Sequence, residues 1–154
     1  VIYTLLKTLH VVSACVLLGT GAGIAFFMYM AHRARELPAM RVVTRHVVLA
    51  DWVFTAPAVM VQPVTGFLLI HMLGWPLRSG WLHVVLGLYV LVGFCWLPVV
   101  WIQHRLAHMA NAAASIEALG DAYWRLYRFW LALGVPAFAG VLVLVWLMVA
   151  KPWL

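Results

Sequence analysis

Acidic side chains are nearly missing from this chain: Glu36, Asp51, Glu117 and Asp121 are the only 4 in 154 residues. No predicted span carries a pair of carboxylates, so general acid–base work by two neighbouring acids is excluded. Cysteine is equally sparse. Cys15 and Cys95 stand far apart, in different apolar stretches, with no C-x-x-C spacing to suggest a redox or zinc motif. No G-x-S-x-G and no phosphate-binding glycine loop occurs, which removes support for hydrolytic chemistry. Charged residues of either sign amount to 9%, far too few for the surface of a soluble domain.

What fills the chain is hydrocarbon. Hydrophobic residues make up 67% of it, and the mean hydropathy is +1.04. Four apolar stretches are each long enough to cross a bilayer, which takes roughly 20 helical residues. They cover about residues 3–30, 47–73, 81–103 and 124–149. Only helices satisfy their own backbone in lipid without closing a barrel. The expected architecture is therefore an all-α, up-down-up-down bundle of four transmembrane helices, a single domain over residues 1–154.

The net charge of +6 does not indicate a nucleic-acid partner, because the basic residues flank the spans. Arg33, Arg35, Arg41, Arg45, Arg105, Arg125 and Arg128 lie on one side, against Lys7, Arg78 and Lys151 on the other. The excess places the first and third connections in the cytoplasm and both termini outward. Trp52, Trp75, Trp81, Trp101, Trp124 and Trp153 fall near span ends, as interfacial anchors do. Gly19 and Gly23 form a small-x-x-x-small pair suited to close helix packing. Pro57, Pro63, Pro98 and Pro136 are expected to kink the last three spans.

Histidine carries the functional signal. His10 lies inside the first span, one helical turn after Lys7. A titratable ring at that depth is costly and marks a place where something is bound or transferred. His71 and His83 fall near the outward ends of the second and third spans. Imidazole suits haem iron, copper or zinc, and two rings on facing helices can hold a haem from both sides. His10 is the expected first metal ligand and His83 or His71 the second. Lys7 and Arg78 are the expected partners of the haem propionates. His71 and His83 also suit plain hydrogen bonding to water or lipid at span ends.

The second span carries a polar face of Asp51, Thr55, Gln62 and Thr65, at helical spacing and expected to look inward. Asp51 is expected to pair with Arg45, Arg125 or Arg128. Gln62 is expected to bond either another helix or a bound ring. His32, His46, His104 and His108 accompany the arginines and read as solvated histidines, although His104 and His108 share a helix face.

Ala50-Asp51-Trp52, Gln62-Pro63 with Thr65-Gly66, Leu97-Pro98-Val99-Val100-Trp101, Tyr123-Trp124-Arg125-Leu126 and Met148 to Pro152 resemble the pattern of an uncharacterised proteobacterial family of predicted integral membrane proteins. That resemblance spans nearly the whole chain and implies no activity. Leu5-Leu6-Lys7-Thr8-Leu9-His10-Val11-Val12 is similar to the first helix of HemJ-type protoporphyrinogen oxidases and of the CopD copper-resistance group. The HemJ likeness implies a haem b site at His10 in a protein acting on a porphyrin. Leu17-Leu18-Gly19 and Tyr29-Met30 replace that family's tryptophan-rich stretch and Pro-Arg pair. The methionine-rich ligands of CopD are absent.

The leading expectation is a small haem b protein of the bacterial inner membrane, exchanging electrons with a quinone or porphyrin. One alternative is a non-enzymatic accessory or scaffold subunit, bound to a membrane partner or to further copies of itself. Another is a small metal-handling transporter, with Asp51 and Gln62 lining its path.

Overall fold

The computed structural model describes residues 1–76 and 78–151. Leu77 and residues 152–154 lie outside the described residues; these include the expected anchor Trp153 and the Pro152 of the family pattern. The described residues form helices and turns, with no strand among them. Helix α1 is Ile2–Ala34, α2 is Leu37–Ala50, α3 is Ala56–Leu73, α4 is Gly80–Ala112 and α5 is Gly120–Ala150. A π turn at Asp51–Thr55 joins α2 to α3 into one rod, and a 3-10 turn at Glu117–Leu119 leads into α5.

Four rods are long and apolar enough to cross a membrane, and only 11–17% of each apolar stretch is buried inside the protein. Phe26, Phe67, Phe94 and Trp146 are each at least half exposed. Hydrocarbon is the solvent that tolerates such a surface.

The rods overrun the expected spans, chiefly at their arginine-rich ends. The 33 residues of α1 rise roughly 50 Å at 1.5 Å each, against about 30 Å of bilayer core. Segments expected as basic connections are largely helical. Arg41 and Arg45 lie on α2, Arg105 on α4, and Arg125 and Arg128 on α5. Polar side chains do not end a helix. The reversal between α1 and α2 is compressed into Arg35, at φ 53, and the extended Glu36, with proline in the first turn of α2. Arg41 reaches across to α4 and donates to the carbonyls of Ala110 (3.0 Å) and Ala113 (2.5 Å). It thereby caps carbonyls that have no partner at a helix end.

Proline explains two irregularities of the α2–α3 rod. Pro57 has no N–H to give to the turn before it. The helix widens there, and the Ala56 N–H reaches back five residues to the Asp51 carbonyl. Pro63 likewise cannot donate to the carbonyl of Val59. The Tyr89 hydroxyl, from α4, donates to that carbonyl instead at 2.5 Å. Pro63, Pro98 and Pro136 all sit inside unbroken helices.

The principal pairings are α1 with α3, α4 with α5, and α2 with both α1 and α4. The main core gathers at the arginine-rich end, around Met28, Met40, Leu106, Tyr123 and Trp130. A smaller one, around Trp81, Leu82, Val85 and Leu147, closes the opposite end. The expected glycine packing site is not used among the described residues: a Cβ added at Gly19 or Gly23 would meet nothing within 4 Å. Gly140 holds that role. A Cβ there would meet Val92 Cγ2 at 2.6 Å, so its missing side chain lets α5 close on α4.

Candidate functional site

His10 stands where α1 crosses α3, half-buried. Its Nδ1 is 2.8 Å from Thr65 Oγ1. Thr65 Oγ1 is also 2.7 Å from the Val61 carbonyl of its own helix. A carbonyl only accepts, so the threonine proton goes to Val61 and the ring nitrogen donates to the threonine. That fixes the tautomer: Nδ1 carries the hydrogen and Nε2 keeps its lone pair. Gly66 sits beside the ring, where a Cβ would meet His10 Cε1 at 3.4 Å.

Gln62 completes the crossing. Its amide nitrogen donates to the His10 carbonyl and to Ser13 Oγ, both at 2.8 Å. Ser13 Oγ donates in turn to the His10 carbonyl at 3.0 Å. Of the two roles open to Gln62, the structure displays the interhelical one. The polar face of the second span does look inward: Asp51, Thr55, Ala58 and Thr65 are all buried. Ser13 was not among the expected site residues, and Thr65 was expected only as part of the polar face, not as the partner of His10. Their signal was spacing, since each lies three residues beyond His10 or Gln62. An apolar groove of about 230 Å³ adjoins the crossing, lined among others by Leu9, Val12, Ser13, Val16, Pro57 and Val61.

The other expected site residues are near the same end but not in this cluster. His71, His83, Lys7 and Arg78 are exposed. His83 Nδ1 donates to the Ser79 carbonyl at 3.1 Å. Lys7 Nζ lies 5.8 Å from the Tyr3 ring centre. Among the described residues, no three His, Cys, Asp or Glu side chains come together as a metal-holding group, so His10, His71 and His83 do not form one.

Two sequence expectations at the arginine-rich end need correction. His32 is not solvated but 3% exposed. Its Nδ1 donates to the Met28 carbonyl at 2.7 Å, and its Nε2 accepts from the Tyr123 hydroxyl at 2.8 Å. The ring stacks on Tyr127, with centres 4.0 Å apart and planes within 1° of parallel. The i, i+4 relation to Met28 and a distant tyrosine on α5 bury it, and neither was visible as a motif. His46, His104 and His108 are exposed, as expected. His104 Nε2 accepts from the Trp52 indole at 3.2 Å.

Asp51 does not pair with Arg45, Arg125 or Arg128. It is buried, and the side chains of Thr55, Trp96 and Gln103 act on its carboxyl, with His104 the one ionisable group that does so. The helix carries Asp51 round to face α4, while the arginines stay at the rim.

These features define a class, an integral membrane protein of four helical spans with a histidine-centred polar crossing near one end. The chain belongs to the family described as predicted integral membrane protein (DUF2269), whose model matches residues 4–152. No curated protein and no solved structure matches it.

Proposed function

We propose that the protein binds haem b in the bacterial inner membrane and passes electrons to or from a quinone or porphyrin, with His10 Nε2 as an axial ligand to the iron. The observation that carries this reading is the chain from His10 Nδ1 to Thr65 Oγ1 to the Val61 carbonyl. Metal-bound histidines are held in this way, with the second nitrogen donating to a fixed acceptor while the first faces the metal. Histidine nitrogen is a donor that suits haem iron. His83, whose Nδ1 is tied to Ser79, or the exposed His71 supplies the second ligand from the same end. Lys7 and Arg78 carry the positive charge that propionates need. The groove beside Ser13 is apolar, as a macrocycle or a quinone ring requires. The likeness of residues 5–12 to the first helix of HemJ-type oxidases supports the same end of the same helix as the site. The haem would supply the one-electron chemistry; the chain holds the ligand ring in one tautomer.

Spectra of purified protein, oxidised and dithionite-reduced, test the proposal. A Soret band that shifts on reduction is expected, and His10→Ala should abolish it. Thr65→Val should weaken haem affinity by roughly 10-fold or more while keeping the band at saturating haem, the usual effect of losing a ligand's orienting partner. A folded protein that stays colourless after haem supplementation would refute the reading.

A second reading has its own observation. Gly19 and Gly23 lie on α1, where an added Cβ would meet nothing within 4 Å among the described residues, which suits a scaffold or accessory subunit receiving a partner's helix. It expects a colourless protein that copurifies with another membrane protein.

A further inference from the structure

The π turn at the α2–α3 junction brings together a second set of polar groups, independent of the histidine crossing. Asp51 is 4% exposed, Thr55 7% and Gln103, on α4, 2%. Asp51 Oδ2, Thr55 Oγ1, Gln103 Oε1 and the Trp96 indole nitrogen are all buried and all without a hydrogen-bond partner. Thr55, Trp96 and Gln103 all act on the Asp51 carboxyl, yet none of the four atoms has a hydrogen-bond partner. Unpaired buried polar atoms are rare one at a time. Several converging on one point of a membrane helix bundle indicate a missing partner. A π turn is itself a common mark of a functional position.

The chemistry of the free atoms selects the partner. Three of the four are oxygens: a carboxylate, a hydroxyl and an amide carbonyl. Hard oxygen donors suit hard cations, and no histidine or cysteine joins the set to favour a transition metal. His104, the ring that acts on the carboxyl, has its Nε2 engaged by Trp52. Divalent ions in proteins usually draw on more carboxylates than one. A single carboxylate neutralises a single positive charge, and a neutral complex is the least costly to bury. No arginine or lysine is among the groups acting on the carboxyl.

We propose that Asp51, Thr55 and Gln103 form a buried site for one monovalent cation of the sodium class. The carboxylate supplies the charge and the two neutral oxygens complete part of the coordination. The Trp96 N–H lies on the carboxylate side, where a donor shares the negative charge. Binding would tie the α2–α3 rod to α4 at its one irregular turn.

The test uses the full chain in detergent, at constant ionic strength, with sodium chloride exchanged for choline chloride. Radioactive sodium binding should saturate at one ion per chain, and the thermal unfolding midpoint should rise with sodium but not with choline. Asp51→Asn should weaken sodium binding by about 100-fold or more, as removal of a buried charge partner does. Gln103→Leu should weaken it less. Circular dichroism checks that both variants remain helical. Should either fail to fold, the wild-type comparison of sodium with choline decides alone. Absence of saturable sodium binding to the wild type would overturn the proposal, as would full binding by folded Asp51→Asn. A midpoint that follows pH and ignores sodium would show a proton in the ion's place and overturn it equally.

Discussion

The two ends of the bundle treat a histidine in opposite ways. At the arginine-rich end, His32 has both ring nitrogens engaged, by Met28 and Tyr123, and its face covered by Tyr127. It is the more deeply buried ring and has no lone pair left for a ligand. At the other end, His10 is only half-buried and has one nitrogen fixed by Thr65, with Nε2 unspent. Burial alone therefore does not separate the two rings in kind; the free nitrogen of His10 does. The surroundings follow the same division. The His32 end holds the larger core and the capping contacts of Arg41. Its open cleft of about 550 Å³ is lined by Tyr29, Arg33, Arg35, Trp124 and Arg128 besides the engaged His32. The His10 end is joined by a few hydrogen bonds and a smaller core.

The largest effect expected from breaking this contrast comes from His32→Ala. It leaves the Tyr123 hydroxyl without its partner and opens a cavity against Tyr127. About 3 kcal/mol of stability should be lost, in the range for a buried network with a cavity. His10→Ala should cost only about 1 kcal/mol, since one partly exposed interhelical bond is removed, while eliminating any haem spectrum. Thermal unfolding and visible spectra of both variants check the pair. Equal losses of stability would erase the distinction between the two rings.

A smaller effect compares helix faces. Gly140→Ala forces a Cβ against Val92 and should cost about 1–3 kcal/mol by overpacking. Gly19→Ala meets nothing within the chain and should leave the isolated protein unchanged or slightly more stable. If Gly19→Ala nevertheless lowers the unfolding midpoint, α1 is packed against another chain in the sample. The smallest effect concerns proline. Tyr89→Phe strands the Val59 carbonyl next to Pro63 and should cost roughly 0.5–1.5 kcal/mol, the scale of one hydrogen bond inside a membrane bundle. Equilibrium unfolding in detergent resolves it from the wild type.

The residue pattern carried the architecture because bilayer thickness and backbone hydrogen bonding leave few options for long apolar runs. It also marked His10 and the Asp51–Thr65 face, because a polar group in such a run has to turn inward. It misjudged wherever the partner lay on a distant helix. Arg41 and Arg45 look like loop residues until α2 continues through them. His32 looks like a surface ring until Tyr123, 91 positions later, closes over it. Asp51 looks like the mate of an arginine until the helix turns it toward Gln103.

What the sequence alone determined is thus the number of spans, their apolar outer surface and the choice of His10 as the ring to question. Each follows from local composition and the cost of polarity in lipid. Only the tertiary structure decided which nitrogen of that ring is free, which glycine brings two helices together, and that Asp51 faces oxygens and an indole in place of an arginine. Those outcomes depend on the rotation of each helix about its own axis. Packing between helices sets that rotation, and the order of residues along one helix does not encode its neighbour's phase.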